Sequence, residues 1–511
     1  MTKIKKERES RKMAIKIIML VVFFGTMIGV GLYCRKNATD VNGFVLGGRS
    51  VGPWLTAFAY GTSYFSAVIF VGYAGQFGWK FGLASTWIGV GNAVIGSLLA
   101  WMILGRRTRV MTQHLDSKTM PDFFGLRFDS KALKVIASII VFVFLIPYTA
   151  SLYNGLSRLF GMAFNIDYSV CIIVMAILTG VYVIAGGYMA TAINDFIQGI
   201  IMIVGIIAVI LAVLNSKGGF VAAYEALARV EDTSLTMMPG AFASFLGPQP
   251  FDLICVVILT SLGTWGLPQM VQKFYAIKSE KSIETGTIVS TVFAVIVAGG
   301  CYFLGGFGRL YDIDVAKEGY DAVIPAMIEK LSPFLIAIVV ILVLSASMST
   351  LSSLVLTSSS TLTLDLIKGN IVKNMSEKKQ LVTMRVFIVI FIAISAVIAM
   401  VQYKSSVTFI AQLMGISWGA LAGAFLAPFI YSLYWKGVTK SAVIVNFIFG
   451  CGLMITNMVA KSIFPVWLQS PINAGAFTML AGLIIVPVVS LITPKLKKEK
   501  VEKVFACYEE K

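Results

Sequence analysis

The chain has 511 residues, 58% of them hydrophobic and 13% charged, with a mean hydropathy of +0.86. That balance excludes a water-soluble domain and describes an all-α polytopic membrane protein, because a crossing helix needs about 20 successive apolar residues. The net charge of +17 is scattered over short loops instead of forming one patch, so the partner it implies is the lipid bilayer and not nucleic acid.

About thirteen apolar runs reach that length, at 13–33, 50–77, 82–104, 135–161, 168–187, 193–214, 249–267, 282–308, 333–361, 382–402, 407–432, 440–460 and 474–492. The first follows a basic tail with Lys3, Lys5, Lys6, Arg8, Arg11, Lys12 and Lys16. No small-residue cleavage site follows it, so it reads as a span and not as a signal peptide. The second is interrupted by Gly52, Pro53, Gly61, Thr62, Ser63, Ser66, Gly72 and Gly75, and the seventh by Gly263, Gly266 and Pro268. Paired interrupted helices at corresponding positions point to a five-plus-five inverted-repeat core, with the interrupted helix opening each repeat. Close packing of helices through glycine is the alternative for any one of these positions. The expected organisation is 1–49 for tail, first span and loop; 50–214 and 215–432 for the repeats; and 433–511 for two accessory spans and a basic tail.

The loop after the third run carries Arg106, Arg107, Arg109, Lys118, Arg127, Lys131 and Lys134. Grouped with Arg49, Lys273, Lys278, Lys373, Lys436, Lys440 and the C-terminal lysines, that side holds more than half of the 42 Lys and Arg. It is therefore assigned to the cytoplasm of a multi-pass plasma membrane protein. The C-terminus is then inside and, with an odd span count, the N-terminus outside, although its basic tail pulls the other way.

Asp195 is the one acid clearly within a run and away from its ends, and no Lys or Arg reads at a comparable depth. A carboxylate there needs a partner or a bound ion; the alternative is a cap at the start of the sixth run. The ninth run contains Ser345, Ser347, Ser349, Thr350, Ser352 and Ser353 within nine positions, followed by Thr357, Ser358, Ser359 and Ser360. Helical spacing puts Ser345, Ser349, Ser352 and Ser353 on one side with Ala346 and Thr350 at its edge. Oxygen ligands at mid-bilayer suit a hard monovalent cation such as Na⁺, and back-bonding of each hydroxyl to its own helix is the alternative.

Other chemistries find little support. His114 is the only histidine and the six cysteines have no metal or disulfide spacing. There is no Walker motif, and no paired acids or nucleophile–base set, which argues against an enzyme. No charged ring marks a passive channel, and a short tail after 492 argues against a transporter-like sensor.

Gly47-Gly48-Arg49-Ser50, the stretch from Gly186 to Gly199, and Ser345–Ser353 followed by Leu364-Asp365-Leu366 together resemble the sodium:solute symporter family, closest in pattern to its sodium/proline branch. The resemblance implies a central sodium site of Thr62, Phe65, Ala346, Ser349 and Thr350, and a second from Asp195, Ser352 and Ser353, so one or two Na⁺. For the solute it implies Tyr64, Ser66, Gln76, Tyr148, Thr260, Thr264, Trp265 and Gln269, with Tyr60 completing an aromatic lining. Tyr148 matches the sodium/proline branch, but Tyr64, Thr260 and Gln269 replace that branch's Asp, Trp and His. The sialic-acid branch has an Arg at Tyr148 and a hydroxyl at Ile69. The expected activity is Na⁺-coupled symport of a small organic solute, an amino acid such as proline favoured, with sialic acid, sugar or pantothenate as alternatives. The sequence leaves oligomeric state open.

Overall fold

The computed structural model describes residues 2–164, 167–368, 370–405 and 410–509. Among them the chain is helical, with two isolated bridges and no β-strand. Proline opens several of the helices, at Pro53, Pro250, Pro268, Pro333 and Pro471. In the first turn its missing N–H has no intrahelical partner to lose. Side-chain caps also mark helix starts: the Ser332 hydroxyl, just before Pro333, accepts from Leu335 N, and the Thr439 hydroxyl accepts from Ala442 N.

Eleven runs of described helix are long and apolar enough to cross a membrane. The difference from about thirteen lies in two continuous runs, Val68–His114 with 47 residues and Tyr168–Ser216 with 49. At 1.5 Å per residue each extends about 70 Å, more than twice a ~30 Å hydrocarbon core. Each also contains a glycine that turns the backbone, Gly82 (φ 59°, ψ −140°) and Gly187 (φ 55°, ψ −148°). Those angles are strained for any residue with a Cβ, and at Gly187 a Cβ would also stand 2.8 Å from the Phe44 carbonyl oxygen. Tyr168–Ser216 therefore has the length and the turn for two crossings, while Val68–His114 completes the crossing begun at Pro53 and, after Gly82, makes another.

The most enclosed runs are Ile410–Tyr434 and Pro333–Ile367, with 89% and 83% of their most apolar window buried by protein, against 22% for Ile17–Asn37. The hydroxyl-rich helix thus sits in the protein interior. It packs on the kinked helix Tyr168–Ser216, on Lys131–Phe164 and on the first broken helix.

Both interrupted helices are broken in the structure. The first runs Pro53–Tyr64, passes through extended Phe65 (φ −84°, ψ 125°), and resumes at Val68. The second runs from Pro250 through a short 3₁₀ turn, Gly263–Trp265, to extended Leu267 (φ −83°, ψ 120°), and resumes as Pro268–Ala276. Here the sequence expectation is corrected. The seventh span does not end at 267: its second half continues for nine buried residues, among them Lys273 at 2% exposure. Hydropathy stops at Pro268 because the residues beyond it are amphipathic. The two broken helices are tied together where Val51 N donates to Ala276 O at 3.2 Å and Lys278 N to Val51 O at 3.0 Å.

Candidate functional site

Breaking the first helix turns the Thr62 and Phe65 carbonyls toward the hydroxyl-rich helix. The Ser349 hydroxyl donates to Thr62 O at 3.0 Å, and Thr350 Oγ1 lies 3.2 Å from both Thr62 O and Phe65 O. The same hydroxyls reach the Ala346 carbonyl, at 3.0 Å from Ser349 and 3.1 Å from Thr350. Back-bonding and cross-helix contact therefore occur in the same side chains. All five residues expected for the central site converge, and none is exposed. Two further hydroxyls pin the break: Ala67 N donates to Ser347 Oγ at 3.1 Å, and Ser63 Oγ meets Ser353 Oγ at 2.8 Å. Ser347 faces the broken helix, although the periodicity reading placed it off the polar side.

Five oxygens from two helices, two hydroxyl and three carbonyl, form a neutral ligand set for a hard cation. With no carboxylate among them they suit a monovalent ion, since a divalent charge would stay uncompensated in a low-dielectric interior. Among the described residues no group of three or more His, Cys, Asp or Glu gathers as an alternative metal site.

Asp195, Ser352 and Ser353 are arranged differently from expectation. Ser352 Oγ donates to Ser349 O at 2.8 Å. Ser353 Oγ accepts from Lys273 Nζ at 3.0 Å, and Lys273 Nζ stands 3.9 Å from Asp195 Oδ2. The reading that no basic residue lies at the depth of Asp195 is thus overturned. So is the capping alternative, since Asp195 lies within continuous helix and neither of its oxygens accepts a hydrogen bond. The partner escaped notice because it is 78 positions away, beyond the break in the second interrupted helix.

The residues expected for the solute are all buried. Tyr60, Tyr64 and Thr264 line a cavity of about 20 Å³ with Asn92, Gly96 and Ser97, room for about one water. A π-helical turn, Val94–Leu99, frees carbonyls that these side chains use. Tyr60 Oη and Thr264 Oγ1 both donate to Gly96 O, at 2.8 and 3.1 Å, and Trp265 Nε1 donates to Ile95 O at 2.9 Å. Thr260 donates back to Val256 O, and Ser66 Oγ accepts from Val68 N. Tyr148 and Tyr64 both pack against Trp418, with ring centroids 5.9 and 5.6 Å apart. Trp418, from the span Ile410–Tyr434, and Asn92, which donates to Tyr64 Oη, were missed by sequence reasoning. Each is a single residue in an apolar run, with no spacing to signal it. Gln269 ends beside the second break, 1% exposed, with neither its amide nitrogen nor its oxygen hydrogen-bonded; the Gln76 amide oxygen is likewise without a partner.

Comparison with known proteins places this geometry. A sodium/proline symporter from Staphylococcus aureus (strain JH9) is 30% identical over 497 residues, covering 94% of this chain and 93% of its own, and the protein of strain NCTC 8325 matches equally. Among solved structures, a Na⁺-coupled sialic acid symporter in a substrate-bound outward-open state superimposes with a TM-score of 0.73. It covers 95% of this chain and 99% of its own at 16% identity, a likeness of fold. A manganese transporter from Eremococcus coleocola gives a TM-score of 0.51 at 9% identity, covering 91% and 96% of the two chains. The sequence model of the sodium:solute symporter family matches residues 44–450. The chain belongs to the sodium:solute symporter family and is a multi-pass membrane transporter that couples a small solute to sodium.

Proposed function

We propose that this chain imports a small amino acid, proline favoured, together with Na⁺ held by Thr62, Phe65, Ala346, Ser349 and Thr350. The observation that carries the reading is the convergence of those five buried oxygens across the break in the first interrupted helix. A dehydrated Na⁺ there takes the place of the hydroxyl-to-carbonyl hydrogen bonds: Ser349 and Thr350 turn their lone pairs inward and the three carbonyls stay where they are. The ion then bridges two helices, and separating them removes ligands from one side. Sodium thereby favours one state of an alternating-access cycle, and the solute binds beside it. By linkage each must tighten the other by the same factor.

The relatives named sodium/proline symporters support proline as the solute, as does Tyr148, which keeps that branch's residue. Tyr148, Tyr64 and Trp418 offer apolar faces to a pyrrolidine-sized molecule, and the unsatisfied amide of Gln269 and amide oxygen of Gln76 offer a donor and acceptors to a zwitterion. The 20 Å³ cavity does not hold such a molecule, so binding requires the broken helices to move apart.

We place the C-terminus in the cytoplasm and the N-terminus outside. The C-terminal segment supports this by docking on the basic loops assigned inside: Tyr508 Oη donates to Arg107 O at 2.8 Å, the Arg127 guanidinium covers the Phe505 ring, and Lys436 pairs with Glu509.

Thermal unfolding of the purified protein with proline, sialic acid, a sugar or pantothenate, each in NaCl and in choline chloride, tests the reading. A ligand at 100 times its Kd adds about 2.7 kcal/mol to the native state. Proline should raise Tm in NaCl and not in choline. A rise with another solute reassigns the cargo, and an equal rise in choline contradicts coupling.

A further inference from the structure

Asp195 is fully buried in the membrane interior, and the ion pair with Lys273 is the one it makes among the described residues. The ammonium sits where four elements meet. The hydroxyl-rich helix contributes Ser353, which accepts from Nζ at 3.0 Å, and the first broken helix contributes Ser63, bonded to that same hydroxyl at 2.8 Å. The kinked helix contributes Asp195 Oδ2 at 3.9 Å and the Tyr188 ring, whose centroid lies 5.2 Å from Nζ. Lys273 itself comes from the second broken helix, whose end is fixed by the backbone bonds between Val51, Ala276 and Lys278.

From this geometry we infer that Lys273 is a built-in cation: its ammonium stands in place of a second sodium beside Asp195, Ser352 and Ser353, and one chain binds one Na⁺. The inference rests on the sodium reading of the central site. Two facts carry it. The first is charge. One carboxylate and one ammonium already sum to zero, so a sodium at Asp195 would find no uncompensated negative charge and would stand directly beside the ammonium, a like-charge repulsion that the neutral oxygens of the central site do not impose. The second is ligand availability. Ser353 already accepts from Nζ, and Ser352 donates to the carbonyl of Ser349. A sodium in contact with both Asp195 and Ser353 would have to share the space with Nζ. Lys273→Gln keeps a side chain with an N–H donor but removes its charge, so the Asp195 carboxylate then calls for a mobile cation.

The test is saturation binding of radioactive sodium to the purified full-length protein. The unaltered chain should bind one Na⁺ with a Hill coefficient of one, Lys273→Gln should bind two, and Lys273→Gln with Asp195→Asn should return to one. Two sodium ions on the unaltered chain, or one on Lys273→Gln, would overturn the inference. If Lys273→Gln does not fold, the count on the unaltered chain and on Lys273→Arg, expected to be one in both, still decides. Failure of the underlying reading looks different: the unaltered chain would bind no sodium saturably, or Ser349→Ala with Thr350→Ala would leave its binding intact.

Discussion

Thr350→Val tests the central site with the least disturbance of packing, since it exchanges a hydroxyl for a methyl at nearly constant shape. Thr350 Oγ1 touches three of the other four ligands, the carbonyls of Thr62, Phe65 and Ala346, at 3.1 to 3.2 Å. Without sodium the loss is one hydroxyl donor shared among three carbonyls, a net cost of about 0.5–1.5 kcal/mol. With sodium it is one of five oxygens on a charged ion, about 1.5–3 kcal/mol by analogy with hydrogen bonds to charged groups. Sodium affinity falls by the difference, about 1–1.5 kcal/mol at mid-range, so at about 1.4 kcal/mol per tenfold the sodium concentration for half-maximal uptake should rise roughly five- to ten-fold. Thr350→Ser, which keeps the oxygen, should stay within a few-fold of the unaltered protein and controls for packing. The assay is initial-rate uptake of labelled proline into proteoliposomes across a sodium series at constant ionic strength. An unchanged sodium dependence in Thr350→Val would refute the assignment.

Gln269→Leu should separate stability from binding: it removes a buried amide with no partner, so Tm without solute should rise by a few degrees while KM for the solute rises. A fall in both would mean that Gln269 is structural. Gly187→Ala should cost about 1–3 kcal/mol, because φ 55° and ψ −148° are strained for an L residue and a Cβ would meet Phe44; denaturation of the purified protein reads it. The loop at 231–247 offers a pH test. Asp232 is held below the usual carboxylate range, first by the Ser234 hydroxyl and then by Arg309, which it meets at 3.0 Å while Arg309 also donates to Trp79 O. A depressed carboxyl contributes stability above its unfolded pKa of about 3.9 and loses it as pH falls toward the folded value. Hydrogen exchange over 231–247, corrected for intrinsic rate, should be flat from neutral pH to about 5 and rise only below ~4. Asp232→Asn should show the rise at neutral pH.

The parts of this fold set by local chemistry were legible in the sequence. Gly and Pro marked both broken helices, and the density of hydroxyls in 345–353 marked the helix that faces the first break. Thr62, Phe65, Ala346, Ser349 and Thr350, proposed for the central sodium, came by resemblance, and the structure brings them together. What escaped depends on contacts between distant segments. Lys273 was counted as a loop charge because hydropathy ends at Pro268, while the helix that carries it continues, buried, to Ala276. Its pairing with Asp195 is a tertiary fact with no periodicity behind it. Trp418 and Asn92 lie singly in apolar runs and gain meaning only from the tyrosines they touch. The thirteen expected spans and the eleven observed runs differ where Gly82 and Gly187 turn the chain without ending the helical hydrogen-bonding.

The most direct test of sodium coupling is accumulation against a gradient. Proteoliposomes holding the purified chain, given an inward sodium gradient and labelled proline, should concentrate proline above the outside level, transiently, and lose it when a sodium ionophore is added. Uptake that only equilibrates, or that proceeds equally with choline in place of sodium, would contradict the account.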